Sequence, residues 1–232
     1  MPETKRTFTL KVIVQLLIVV VIMPLLPLII SGAWNWLEAW VYAVTAAMGF
    51  ILSRWLAVKR HPDILQERAR SMELQDAKSW DRILAPVMGL GSVVILVVAG
   101  FDKLYGWTSP FSPIIKIVAF SVILLGYVLG TWALMENRFF SGVVRIQTDR
   151  GHQVVTTGPY RFIRHPGYVG VIWTYLTLPL FLDSLWAFIP ALLTLAASIL
   201  RTALEDKTLQ AELPGYKEYA QRTRYRLFPG IW

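Results

Sequence analysis

The chain has 232 residues, 55% of them hydrophobic, and a mean hydropathy of +0.50. Soluble domains of this length seldom have that balance, so the composition excludes an ordinary water-soluble enzyme and points to several helices in lipid. The formal net charge of +8 would suit nucleic acid, but the cations are placed as in a membrane protein; with no cysteine and three histidines (His61, His152, His165), no disulfide framework or catalytic thiol exists and no metal centre is expected.

After Lys5, Arg6 and Lys11 comes a nearly uncharged run, 12–31. It is longer than the apolar core of a cleaved signal peptide and leads through Ser31-Gly32 into a second apolar run. It therefore reads as a retained transmembrane helix, kinked at Pro24 and Pro27. Further membrane segments are predicted at 35–57, 83–101, 114–135, 168–182 and 185–203. The last two are short, joined by Asp183-Ser184, and predict a tight hairpin bent at Pro179 and Pro190.

With six crossings, all of the 23 Lys and Arg except Lys103 and Lys116 fall on one side. The positive-inside rule then puts both termini in the cytoplasm, at a bacterial inner membrane or, in a eukaryote, the endoplasmic reticulum. The surplus cations would also attract anionic lipid.

Between the spans, residues 59–82 read as a charged loop, with Glu67, Arg68, Arg70 and Glu73 on a solvated face and His61 as a solvated juxtamembrane residue. Residues 136–167 form a polar connector. Residues 204–224 predict an amphipathic helix broken near Pro214-Gly215, with Leu209, Leu213, Tyr216 and Tyr219 on its buried stripe. The run from Tyr225 to Trp232 belongs at the interface. No repeat or separate soluble domain is visible. The expected fold is one all-α polytopic membrane domain over 1–232, with a four-helix membrane part at 12–135 and a motif region at 136–232.

Two polar clusters stand at the membrane edge, where ionisable groups mark a site by default. The first is GPYRFIRHPGYVG, Gly158 to Gly170. Pro159 and Pro166 push the residues before them toward extended backbone, and Pro166 suits the first turn of a helix. His165 then falls at that helix's N-terminus, where free N–H groups and the dipole favour an anionic ligand group. Tyr160 and Tyr168 offer aromatic faces suited to a sulfonium. Arg161 divides evenly between this site and lipid phosphate.

The second cluster is Arg201-Thr202-x-x-Glu205-Asp206. Arg201 and Glu205 are four apart and share a helix face. A carboxylate there could bind an amine or ribose hydroxyls, and an arginine could hold a carboxylate. The short hairpin between the clusters can fold one onto the other, so His165 and Glu205 are expected in one pocket.

Taken together, His152-x-Val-Val-x-x-Gly158-x-Tyr160-x-x-x-Arg164-His165-Pro166-x-Tyr168-x-Gly170, then Arg201-Thr202-x-x-Glu205-Asp206-x-x-Leu209 and Tyr216-x-x-Tyr219, resembles the isoprenylcysteine carboxyl methyltransferase family. It is also similar to the wider group that includes phospholipid N-methyltransferases. The resemblance is specific over 137–230; over the first 135 residues it is one of hydropathy and length. It implies an integral membrane enzyme that uses S-adenosylmethionine without a Rossmann domain, in keeping with the lack of a G-x-G-x-x-G fingerprint. It further implies a cytoplasm-facing cofactor pocket lined by His152, Val155, Gly158, Tyr160, His165, Tyr168 and Glu205, and a lipophilic or lipidated acceptor that enters from the lipid. Arg164, Arg201 and Glu205 become the candidate catalytic residues, and Arg201 and Asn137 the substrate-side residues. Asp206 stands where relatives often carry Glu, which leaves its contact open.

The acceptor class also stays open. A carboxylate is ionised at neutral pH and needs no base, whereas an amine or thiol would draw on His165 or Glu205. The isoprenylcysteine-like carboxylate is the first reading; phospholipid or amine N-methylation and small-thiol S-methylation are the alternatives. Outside this class stand a NADPH-dependent membrane reductase, which would need a longer chain with more spans, and a cofactor-free membrane protein. The latter would line a path with charges in mid-bilayer, and the first four spans show none.

Overall fold

The computed structural model describes residues 10–71 and 77–232. Lys5, Arg6 and Glu73 fall outside these residues, as do the side chains of Lys11 and Arg70. All regular structure among the described residues is helical. The first apolar run is a continuous rod of α1 (Leu10–Leu17), a π turn (Ile18–Ile22) and α2 (Met23–Ser31). Pro24 has no N–H for the carbonyl four residues back, and its ring crowds that carbonyl. The wider π turn just before it absorbs the misfit.

The chain continues through α3 (Leu37–Arg60), α4 (Ile64–Ser71), α5 (Asp81–Tyr105), α6 (Pro113–Glu136), α7 (Pro166–Phe181), α8 (Phe188–Glu212) and α9 (Tyr216–Arg222). Five segments, Val14–Ser31, α3, α5, α6 and α8, are long and apolar enough to cross a membrane. The protein is an integral membrane helix bundle.

α7 has 16 residues, the short segment expected; at 1.5 Å per residue that is about 24 Å, less than a ~30 Å hydrocarbon core. One expectation changes. The following segment does not stop at 203 but runs to Glu212 as one helix of 25 residues. The amphipathic helix expected over 204–224 is therefore not a unit: its first half is the end of α8, and only Tyr216–Arg222 stands apart as α9. Nothing from 200 to 212 disfavours helix. The first breaker is Pro214, which holds Leu213 in extended backbone at φ −100°, ψ 114°.

Around the bundle the neighbours run α2, α5, α8, α7, α6, α3 and back to α2, a closed ring. Leu28, Tyr42, Ile95, Ile123, Tyr175 and Leu178 fill its interior. Lipid tails are as apolar as leucine, so close approach rather than apolar burial selects helix pairs. The α6–α7 crossing shows this. A Cβ on Gly126 would meet the Gly170 carbonyl oxygen at 2.6 Å, and one on Gly170 would meet the Gly126 oxygen at 2.4 Å. The two backbones touch because neither residue has a side chain.

One end of the bundle is tied by a compact polar cap. Lys116 Nζ bridges Glu38 and Asp183, each at 2.6 Å. Asp102 accepts from the Thr108 N–H and hydroxyl at 2.8 Å and from Ser184 Oγ at 2.6 Å. The motif residues gather at the opposite end.

Candidate functional site

The connector begins where Asn137 ends α6 and accepts the Phe139 N–H on Oδ1 at 2.8 Å. It crosses the end of the bundle with only two short 3₁₀ turns, Thr148–Arg150 and Gly158–Arg161. Ion pairs to the loop helix α4 hold it there. Arg145 donates to Glu67 through Nε at 3.0 Å and Nη2 at 2.6 Å. Arg138 and Arg150 converge on Asp63, each with an N–O distance of 2.8 Å. The Arg138 guanidinium, seconded by Arg150, holds the Asp63 carboxyl down at about 2. Glu67 is thus not on the solvated face expected of it: it is 4% exposed. Its partner comes from far along the chain, which local charge patterning does not reveal.

At the end of the connector, Gly158 turns with φ +57°, and a Cβ there would lie 2.8 Å from Glu136 Cγ. Gly158 shapes the turn and is not on the cavity wall described below, unlike the other residues expected to bind cofactor. His165 is the N-cap residue of α7, followed by Pro166 at the first helical position. The C-terminal tail fixes this corner: Arg164 N–H donates to the Tyr225 carbonyl and His165 N–H to that of Arg226, both at 2.9 Å.

Beneath the corner, the fully buried Asp206 of α8 collects donors from five residues. Arg164 donates through Nε at 2.7 Å and Nη2 at 3.1 Å. His165 Nε2 donates at 3.2 Å, Tyr216 Oη at 3.2 Å, Gln210 Nε2 at 2.7 Å and Arg226 Nε at 2.9 Å. Arg164 Nη1 also donates to the carbonyls of Thr223 and Arg224 at 2.8 Å. Its guanidinium is thereby clamped between α8 and the tail.

Connector, α7 and α8 enclose a cavity of about 260 Å³ whose wall includes His152, Val155, Tyr160, His165, Tyr168 and Glu205, with Asn137, Arg164 and Arg201. The two sequence clusters meet here. Tyr168 Oη donates to Glu205 Oε2 at 2.7 Å, and His165 Nδ1 lies 3.9 Å from Glu205 Oε1. Arg201 donates to Asp81 through Nε at 2.6 Å and Nη2 at 2.9 Å, and from Nη2 to the Gly142 carbonyl at 3.0 Å. Its Nη1 has no hydrogen-bond partner among the described residues. Asn137 Nδ2 donates to Tyr160 Oη at 3.2 Å, and Tyr219 Oη to the Tyr160 carbonyl at 2.7 Å. Burial keeps the phenols of Tyr160, Tyr216 and Tyr219 protonated.

Burial, and then the cations Arg145 and Arg150, press His152 down from its ordinary 6.5 to about 4, so its ring is neutral at neutral pH. Its Nδ1 accepts the Gln147 N–H at 3.2 Å, which leaves the ring proton on Nε2. The ring packs on Phe139 with centroids 4.5 Å apart.

Sequence reasoning missed three supports: Asp81, which is fully buried and holds Arg201; Asp206 as a hub; and Arg68, which lines the cavity from α4. A carboxylate at the very start of a long apolar helix was the available signal for Asp81.

Fold and site together define a helical membrane protein with a polar cavity at one end, walled by a connector and an acidic helix face. Residues 117–211, which build much of that wall, match the model of the isoprenylcysteine carboxyl methyltransferase (ICMT) family. Protein-S-isoprenylcysteine O-methyltransferase B of Arabidopsis thaliana is 29% identical over 123 residues, 52% of this chain and 59% of the plant protein. A rice protein (Oryza sativa subsp. indica) named "Probable protein-S-isoprenylcysteine O-methyltransferase" is 36% identical over 61 residues, 25% of this chain and 32% of the relative. The chain thus spans between about a third and three-fifths of the length of these relatives.

Proposed function

We propose that this protein is an S-adenosylmethionine-dependent methyltransferase acting on the carboxylate of a lipophilic, isoprenylcysteine-like acceptor. The supporting observation is the meeting of the two clusters on one cavity, where Tyr168 donates to Glu205 at 2.7 Å.

The donor set fits the cofactor. Glu205, with its side chain 24% exposed, offers a carboxylate to ribose hydroxyls or to the amino-acid ammonium. The aromatic faces of Tyr160, Tyr216 and Tyr219 suit a sulfonium. Val155 and Leu209 supply apolar surface, and His152 offers Nε2–H. When bound, the cofactor supplies an electrophilic methyl group on sulfur. The chain's own residues align the acceptor and exclude water. Arg201, gripped by Asp81 on one edge, would orient the acceptor carboxylate with its other edge. That carboxylate is already ionised and needs no base. Arg164 acts as a positioning residue, because its donors hold Asp206 and the tail. Asn137 fixes the Tyr160 hydroxyl at the rim.

The reading includes one domain over the whole chain, with the cavity and both termini on the cytoplasmic side; six crossings and the distribution of cations support this. The test uses the full chain in detergent. Calorimetry should give saturable binding of S-adenosylhomocysteine and none of NADPH. Tritiated methyl should pass to an S-prenylated N-acetylcysteine and not to its carboxamide. Binding of NADPH alone, or transfer only to amines or thiols, would overturn the reading.

A further inference from the structure

Two short segments, 158–170 and 219–232, meet at the corner where α7 begins. Between them they hold five arginines and no aspartate or glutamate. Arg164 and Arg226 are paired with the buried Asp206. The other three, Arg161, Arg222 and Arg224, are exposed, form no ion pair among the described residues and lie off the cavity wall. Arg161, which the sequence divides between the site and lipid phosphate, is thus outside the site. The backbone gathers these cations. Arg164 and His165 give their N–H groups to the Tyr225 and Arg226 carbonyls, so Arg161 and Arg224 flank one pairing of connector and tail.

The same corner carries apolar surface. Leu227 of the tail and Ile163 of the connector are buried in one cluster with Val169 and Ile172 of α7, and Phe228 and Trp232 pack against it. Ile172 lies about 9 Å along the helix from Pro166, so the tail runs beside the first two turns of α7. Phe162 and Ile231, the chain neighbours of Ile163 and Trp232, belong to no spanning helix yet are 65% and 82% exposed. Cations alone would accept any anion. Guanidiniums beside exposed apolar side chains at a membrane edge match an amphiphile, with its phosphate on the arginines and its acyl chains on Phe162 and Ile231. Neither segment has a carboxylate to pair an ammonium, so a net anionic headgroup fits better than a zwitterionic one.

We propose that this corner is a binding site for an anionic phospholipid, with Arg161 and Arg224 on its phosphate and Phe162 and Ile231 against its acyl chains. The tail carbonyls that pair with Arg164 and His165 belong to the same structure, so a bound lipid steadies the His165 corner of the cavity. That effect on the cavity rests on the functional reading above; the lipid site does not.

The test titrates the full chain in detergent with phosphatidylglycerol and follows bound lipid by native mass spectrometry. Wild type should prefer phosphatidylglycerol to phosphatidylcholine of the same chains, and should not take up glycerol 3-phosphate at the same concentration. The double variant Arg161→Gln/Arg224→Gln should bind phosphatidylglycerol roughly tenfold more weakly. Lys59→Gln, which removes an exposed cation near the end of α3, should change it less than about twofold. All these positions are exposed, so the lipid-free unfolding midpoint should match wild type and report that the variants are folded. An unchanged preference in the double variant overturns the site. An equal loss in Lys59→Gln also overturns it, by making the attraction a general one, and equal uptake of glycerol 3-phosphate does so by making the ligand a soluble phosphate. In nanodiscs, phosphatidylglycerol should raise the affinity for S-adenosylhomocysteine severalfold in wild type and not in the double variant. Lipid binding through the arginines with no such rise overturns the effect on the cavity. If the arginines carry the lipid preference yet S-adenosylhomocysteine binds in no lipid, the functional reading fails and the lipid site stands.

Discussion

Arg164 and Asp206 form a two-point ion pair, Nε to Oδ1 at 2.7 Å and Nη2 to Oδ2 at 3.1 Å, with the carboxylate fully buried. The pair ties the connector to α8 just before the His165 corner. Through Arg226 and Tyr216, the same carboxylate also anchors the tail and α9. The cavity's floor is thus one buried anion with its cations.

Asp206→Asn should destabilise the protein by about 3–5 kcal/mol, because buried guanidiniums lose their counter-charge. Thermal unfolding in detergent measures this. A midpoint equal to wild type would mean that the hub does not hold the floor.

Glu205→Gln should leave stability within about 1 kcal/mol, since Glu205 is partly exposed, yet weaken S-adenosylhomocysteine binding roughly tenfold or more. His165→Ala should weaken it similarly. Calorimetry giving wild-type affinity in both variants removes these residues from the cofactor site.

Arg201→Ala should lower turnover more than cofactor affinity. Arg201→Lys should recover little, because an ammonium cannot reproduce the two-point grip on Asp81. The check is kcat and KM for the prenylated cysteine set beside the Kd for S-adenosylhomocysteine. An unchanged rate denies Arg201 its role.

His152 provides a pH signature. Its folded-state value lies near 4, below the ordinary 6.5. Above about 6.5 both folded and unfolded chains hold it neutral. As pH falls from 6.5 toward 4, only the unfolded chain takes up the proton, so stability declines across that window and this contribution levels off below it. Unfolding midpoints of wild type and His152→Gln between pH 7 and 4 isolate the effect: the variant should show the shallower decline. Parallel curves would deny the imidazole its buried, neutral state.

Much of the fold was legible along the chain. Apolar run length gave the long helices, because in lipid every backbone polar group must be satisfied within its own helix. Pro166 marked the start of α7, and Pro214 the break after α8. The run-on of α8 past 203 was hidden: a helix leaving the membrane changes its surface pattern without changing its hydrogen bonding. The 3.6-residue period is the same on both sides.

The candidate site was legible where its residues lie close together in the chain. His165, Tyr168, Arg201 and Glu205 stand in two short motifs whose cost at a membrane edge marks them, and the cavity gathers them. The supports were not legible. Glu67 looked solvated because its partner Arg145 lies 78 positions away. Arg164 looked like a ligand-binding group until Asp206 and the tail carbonyls were found to take its donors. The sequence by itself determined the membrane class, the helix boundaries set by proline, and which residue types gather at one end. Only the tertiary structure decided which of those charges neutralise one another and which face the cavity, because a charge's role depends on the distance to its counter-charge and on the water excluded around both.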